Sequence, residues 1–137
     1  MELTISPLVF FDPARGTGRQ PRSSRRPDNA AEHEKRLVCA RCGHTITHHS
    51  QRIAVDGAHA HTCTNPHGLT FHIGCFRDAP GCLPVGASTT EDTWFPGYAW
   101  RIADCAKCGA HLGWRFASSG DAFYGLIVDR LRSANNA

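Results

Sequence analysis

Much that would place a sequence of 137 residues in a familiar class is missing here. No uninterrupted apolar stretch reaches the roughly 20 residues that a membrane-spanning helix needs. The one apolar run near the start, within MELTISPLVFFDP, has no basic residue ahead of it, is broken by Pro7 and stops at Asp12, so it does not read as a secretory signal. No long amphipathic helical pattern is present, nor the βαβ alternation of a thioredoxin. No serine, histidine and acid stand in a recognisable nucleophile context. From Pro13 to Pro27 there is no acidic residue at all. That stretch of Arg, Gly, Ser and Pro cannot bury enough apolar surface to order itself. Residues 1–36 therefore read as a disordered basic leader, with non-specific phosphate binding as a weaker second reading. Leu3, Ile5, Leu8, Val9 and Phe10 offer a short strand that could dock, although nothing in the sequence demands it.

The length supports one domain with a modest core and not two. Net charge is +3 and unevenly divided, because Arg15, Arg19, Arg22, Arg25, Arg26, Lys35 and Arg36 outnumber the acids of the leader while the remainder is nearly balanced. The folded part is expected over residues 37–133, with 134–137 as a tail. A nearly neutral domain is not expected to bind nucleic acid, and nothing points to a membrane partner.

Seven cysteines without a secretory signal suggest a reducing, cytoplasmic setting and metal ligation before disulfides. Cys39-Ala-Arg-Cys42 and Cys105-Ala-Lys-Cys108 are each followed by glycine, Gly43 and Gly109. In a C-x-x-C-G knuckle a tight turn aims two thiolates at one ion, and glycine relieves the backbone where its N–H groups turn toward sulfur. Two knuckles make a closed site of four thiolates for one Zn2+, structural because no position stays open. The other chemistry of CxxC is thiol–disulfide cycling; two knuckles of the same form favour zinc. Cys63, Cys75 and Cys82 read as packing cysteines. His59, His61 and Cys63 would share one face of a strand, so a second metal site is conceivable, but half-buried strand positions are the plainer account.

Between the knuckles the chain reads as short strands. Arg52–Asp56 ends at Gly57, Ala58–Thr64 and Leu69–Phe76 alternate, and Pro80-Gly81 closes the run. Phe123–Asp129 follows the turn Gly120-Asp121 and its composition favours a last strand. The expected class is an antiparallel all-β domain.

The densest chemistry lies in STTEDTWFPGYAWRIADCAKCGAHLGWRF, residues 88–116, which holds all three tryptophans. Trp94 and Trp100 stand either side of Pro96-Gly97, whose fixed φ and positive φ suit a tight turn. Trp114 and Phe116 are two apart, so on a strand they share a face. Two readings follow: the rings are the core, as tryptophans usually are, or they wall a ligand site with Glu91, Asp92 and Tyr98 as its polar neighbours.

Three strings weigh on that choice: ST-x-E-x-x-WFPGYAW from Ser88, GW-x-F from Gly113, and NPHG from Asn65. Together with the knuckles they resemble the CULT domain, the thalidomide-binding domain of cereblon, which also exists as stand-alone bacterial proteins; the similarity runs from about Leu37 to Leu131. The resemblance implies a β-tent, two antiparallel sheets pinned at their apex by the four-cysteine zinc. It also implies a non-enzymatic module in which Trp94, Trp100, Trp114 and Phe116 cage a glutarimide or related cyclic imide, including thalidomide-like compounds or a peptide terminus bearing such a ring. Asn65 and Pro66 would border the part of the ligand that projects from the cage. The imide N–H would donate to the main-chain carbonyl at Asp92, where cereblon has histidine, and one imide carbonyl would accept from the Trp94 amide. Three rivals remain: a β-tent enzyme related to methionine sulfoxide reductase B, with Cys63, Cys75 or Cys82 as nucleophile, an aromatic-cage reader of methyl-lysine or another quaternary ammonium group, and a protein-interaction adaptor without a small ligand.

Overall fold

The computed structural model describes residues 35–135. The expected leader, apart from its last two residues, lies outside the described residues, and with it the docking strand and the phosphate-binding reading. Among the described residues there is no α-helix, and no helix long and apolar enough to cross a membrane. Nine strands form instead: β1 (Arg36–Cys39), β2 (Thr45–His48), β3 (Ala60–Thr64), β4 (Thr70–Phe76), β5 (Cys82–Thr89), β6 (Ala99–Cys105), β7 (His111–Ala117), β8 (Ala122–Ile127) and β9 (Leu131–Ala134).

The strands make two sheets, a small one in the order β2-β1-β9 and a large one in the order β3-β4-β8-β7-β6-β5. Every pairing is antiparallel. The domain is thus the all-β β-tent of two antiparallel sheets. The small sheet takes one residue more at each end than the span 37–133, because Arg36 pairs with Ala134.

Two hydrophobic clusters fill the interior. One lies around the cysteine knuckles and gathers Leu37, Ile46, Phe76, Leu112, Tyr124 and Leu126. The other gathers Ile73, Phe95, Trp114, Phe116, Phe123 and Ile127. Burying each such side chain contributes roughly 1.5–3 kcal/mol. Gly125 makes the second cluster possible: a Cβ there would meet Ile73 Cδ1 at 2.9 Å and Phe116 Cε2 at 3.0 Å. The glycine leaves the space that the Phe116 ring occupies.

Two segments differ from expectation. Arg52–Asp56 is not a strand; it keeps only isolated bridges, Arg52 to Phe76 and Val55 to Ala58. The reason is a tight turn just beyond it: Asp56 and Gly57 take φ of 52° and 86°, closed by Val55 N–H to Ala58 O at 2.8 Å and Ala58 N–H to Val55 O at 3.1 Å. The last expected strand also stops early, at Ile127. Val128–Arg130 forms a 3-10 turn that takes the chain out of the large sheet, and Leu131–Ala134 returns along β1 in the small one.

Candidate functional site

β1 of the small sheet ends at Cys39 and β6 of the large sheet ends at Cys105, and each runs into a knuckle of the same design. In the first, Gly43 N–H donates to Cys39 O at 2.8 Å and Cys39 N–H to His44 O at 2.8 Å. In the second, Gly109 N–H donates to Cys105 O at 2.9 Å and Cys105 N–H to Ala110 O at 2.8 Å. Gly43 and Gly109 have φ of 81° and 79°, which a side chain would strain. The knuckles bring the four sulfurs within 4.8 Å of one another. Cys39 Sγ is 3.7 Å from Cys108 Sγ and Cys42 Sγ 3.6 Å from Cys105 Sγ. Sulfurs about 2.3 Å from a tetrahedrally bound ion stand about 3.8 Å apart, so the donor set fits. Such an ion would join the two sheets through main-chain turns that are already formed.

The large sheet builds the second site on one face. Its register sets Trp100 opposite Phe116 and Ile102 opposite Trp114, a block of four side chains on neighbouring strands. The turn before β6 forms as its composition suggests, with Tyr98 N–H donating to Phe95 O at 2.9 Å and Gly97 at φ 91°. Tyr98 Oη then donates to Asp121 Oδ2 at 2.7 Å, while Arg77 Nη1 lies 2.6 Å from Asp121 Oδ1. These two donors hold the Asp121 carboxyl below its usual pKa, and the turn is thereby tied to the start of β8.

These elements enclose a cavity of about 430 Å³ lined by Asn65, Pro66, Asp92, Trp94, Trp100, Trp114 and Phe116, together with His67, Leu69, Phe71, Ile102 and His111. The structure therefore brings all seven expected ligand-site residues to one cavity. The indoles are fixed by their N–H groups: Trp94 donates to Thr64 O at 3.1 Å and Trp100 to Glu91 O at 2.8 Å. Trp114 is wedged edge to face among other rings, 4.8 Å from Trp94, 5.2 Å from Phe71 and 4.9 Å from His111. Asn65 spends its side-chain oxygen on its own turn, accepting from His67 N–H and Leu69 N–H at 2.9 Å each. Its amide NH2 is the part left for a ligand. Asp92 sits at φ 55°, the left-handed region, on the rim of the cavity.

Sequence reasoning missed five of the lining residues. Phe71 belongs to the strand after NPHG and Leu69 just precedes it, and alternation from Phe71 to Ile73 carried a signal for an inward face. Ile102, 38% exposed, was implied by its even spacing from Trp100. His111 stands inside the H-x-GW-x-F string but had been given no role. His67 lies within NPHG itself.

His59 and His61, expected as half-buried strand positions, have local duties. His59 Nδ1 donates to Ile53 O at 3.0 Å, and His61 Nε2 contacts Val55 O and Ala58 O at 3.0 Å; they satisfy the carbonyls of the segment that failed to become a strand. The four-cysteine set is the one group with metal-ligand spacing among the described residues. Burial pushes the Cys63 thiol up to about 11 and those of Cys75 and Cys82 to about 12. None of the three lines the cavity.

Two sheets joined at a pair of cysteine knuckles and opening into a ring-lined cavity define a class, a β-tent with a binding pocket. No family model matches the chain. Among curated proteins it is 42% identical to protein cereblon of Xenopus tropicalis over 73 residues, covering 50% of this chain and 16% of that one. It is 38% identical to that of Danio rerio over 72 residues, covering 49% and 17%. A longer match, to protein cereblon of Drosophila mojavensis, is 27% identical over 109 residues and covers 74% of this chain and 16% of the relative. The chain carries a cereblon-type CULT domain, and it spans about a sixth of the length of the curated relatives it matches.

Proposed function

We propose that this domain is a non-enzymatic, zinc-stabilised binding module whose aromatic cavity receives a small, flat, neutral ring of the cyclic imide type. The observation that carries the reading is the convergence of Trp94, Trp100, Trp114 and Phe116 on one cavity that Asp92 also lines. About 430 Å³ suits a small ring with its substituent outside. Among the described residues, the Trp94 amide donates to no protein group and the Asp92 carbonyl accepts from none. An imide supplies both partners: its N–H for the carbonyl and a C=O for the amide. Aromatic faces over the ring exclude water from those bonds, which makes a missing partner costly.

Zinc is the ion proposed for Cys39, Cys42, Cys105 and Cys108, since four thiolates at tetrahedral spacing suit it best. It would supply a fixed junction between the sheets and no chemistry. The seven free cysteines fit a reducing, cytoplasmic setting. A reductase needs an exposed thiolate of lowered pKa at its pocket, and Cys63, Cys75 and Cys82 have the opposite character.

The test is titration with glutarimide followed by tryptophan fluorescence, with trimethyl-lysine as the competitor. Saturable quenching or enhancement by glutarimide, and weaker binding of trimethyl-lysine, is the expected result. Tighter binding of trimethyl-lysine would overturn the imide reading in favour of a cation cage.

A further inference from the structure

The two sites are joined by a short bonded path that neither the metal nor the cavity requires by itself. Arg130 lies in the 3-10 turn between β8 and β9. Its carbonyl accepts from Ala40 N–H, inside the first knuckle, at 3.0 Å. Its side chain reaches the other way, Nη1 donating to His111 O at 2.8 Å. His111 is the first residue of β7, three positions after Cys108 of the second knuckle. One residue thus touches the inside of the first knuckle and the exit of the second.

His111 passes that constraint to the cage. Its Nε2 donates to Gly113 O at 3.0 Å; a carbonyl only accepts, so this nitrogen carries the proton. Burial keeps the ring below its usual pKa. The ring stands at 89° to Trp114 with centroids 4.9 Å apart. The sheet itself holds this segment weakly, for the β6–β7 register shifts here: Ala103 faces Gly113 and Asp104 faces His111, leaving Leu112 as the extra residue of a bulge. A bulge re-aims the side chains beside it and interrupts the ladder. The ladder resumes at His111, opposite Asp104, and the Arg130 bond to His111 O adds a second hold on the strand beside the bulge.

We infer that Arg130 and His111 are positioning residues that couple the four-cysteine site to the Trp114 wall, so that ligand binding and metal retention reinforce each other. The inference rests on the cavity being the imide site. Reciprocity is a thermodynamic requirement: if the metal improves imide affinity, the imide must improve metal affinity by the same factor.

The test uses the full zinc-loaded chain and a chromophoric chelator. Saturating glutarimide should slow zinc release by about fivefold or more, the lower range of coupling between linked sites. Arg130→Gln, a surface change, should weaken glutarimide binding by a similar factor and remove the protection, while Arg130→Lys, which keeps one donor, should restore most of both. Protection as large in Arg130→Gln as in the wild type would overturn the coupling. A ligand-free arm separates this from the cavity reading. With Trp94→Phe and Trp100→Phe leaving Trp114 as the sole indole, Arg130→Gln should raise acrylamide quenching and Arg130→Lys should not. If glutarimide fails to bind the wild type, the cavity reading falls and this arm still decides the coupling; unchanged quenching in Arg130→Gln would sink it.

Discussion

Around the four cysteines the buried residues are mostly aliphatic and small, among them Leu37, Ile46, Ala79, Ala103, Leu112 and Leu126, and they come from both sheets. Beneath the cavity they are mostly rings, Phe95, Trp114, Phe116 and Phe123. There Phe116 stacks on Phe123 at 5.2 Å, and Phe95 meets both edge to face at 4.9 Å and 5.1 Å. The first region depends on a junction between distant parts of the chain: Cys39 and Cys108 are 69 positions apart. The second is continuous through one sheet and the turn before β6. One end is therefore closed by ligation and the other by packing, which leaves the packed end free to open a cavity at its surface.

The most drastic way to break this comparison is to remove the ligation. Cys105→Ser should abolish the cooperative fold, since binding free energy at a closed thiolate site is largely folding free energy. Thermal unfolding and zinc content measure it together. A metal-free chain that melts cooperatively and binds imide at full affinity would show that packing alone holds the tent.

The packed end should separate binding from stability. Trp114 is 8% exposed, so Trp114→Ala should cost roughly 3–5 kcal/mol of stability and abolish imide binding. Trp100 is half-buried and should lose binding as completely while losing much less stability. Denaturant midpoints and fluorescence titrations check the pair; equal stability losses would mean that the cage is simply core.

Acid acts on both regions, and one residue lets the parts be told apart. Burial, assisted by the Arg52 charge, lowers His59 from 6.5 to about 4. The folded state resists protonation of this group where the unfolded chain does not. Stability is thus intact above about pH 6.5 and falls as pH drops toward 4, by up to about 3 kcal/mol at 1.36 kcal/mol per unit. His59→Gln, which keeps an N–H for the Ile53 carbonyl, should flatten this fall. The acid loss that persists then belongs to the other groups that resist protonation in the fold, Asp121 and His111 among them, and to the thiolates at the metal end. An identical pH profile in the variant would remove His59 from the account.

Within the cage, methylating the imide nitrogen should weaken binding about 5- to 150-fold, corresponding to the roughly 1–3 kcal/mol cost of a buried acceptor left unsatisfied. Paired titrations of the two compounds measure it. Equal affinity would mean that the ring sits in the cavity without using the Asp92 carbonyl.

The two ends also differ in how far they could be read from residue order. The knuckles are local: four residues and a glycine specify each, and their repetition at Cys39 and Cys105 announces the partner. WFPGYAW is equally local, for Pro96 and Gly97 carry the turn that presents Trp94 and Trp100. Phe71 and His111 are different, because they reach the cavity through strand register: Phe71 by its pairing with Cys63, His111 beside a bulge at Leu112 that no residue type marks. Arg52–Asp56 was misjudged for a related reason. Its apolar alternation suits a strand, but Asp56 accepts a left-handed φ and turns the chain with Gly57 before a ladder can form. Likewise Val128 looked like a continuation of β8, yet β1 needed a partner and took Leu131–Ala134.

The smallest expected effect is the one that decides what kind of ligand the packed end holds. Asp92 contributes two separable things to the rim: a carboxylate, which a cation would seek, and a main-chain carbonyl, which an imide N–H would seek. Its φ is 55°, and asparagine is among the few residues that accept such a φ readily. Asp92→Asn therefore removes the charge and keeps the backbone, and imide affinity should change by less than about twofold, within the few tenths of a kcal/mol usual for a neutral surface change. Asp92→Val keeps neither the charge nor the tolerance. Left-handed backbone costs an ordinary residue roughly 1–2 kcal/mol, so the turn should relax, swing the carbonyl away and weaken the imide by about tenfold. Calorimetric titration of both variants gives the answer by their order. A large loss in Asp92→Asn, matching that in Asp92→Val, would place the carboxylate itself in the site and turn the cage toward cations.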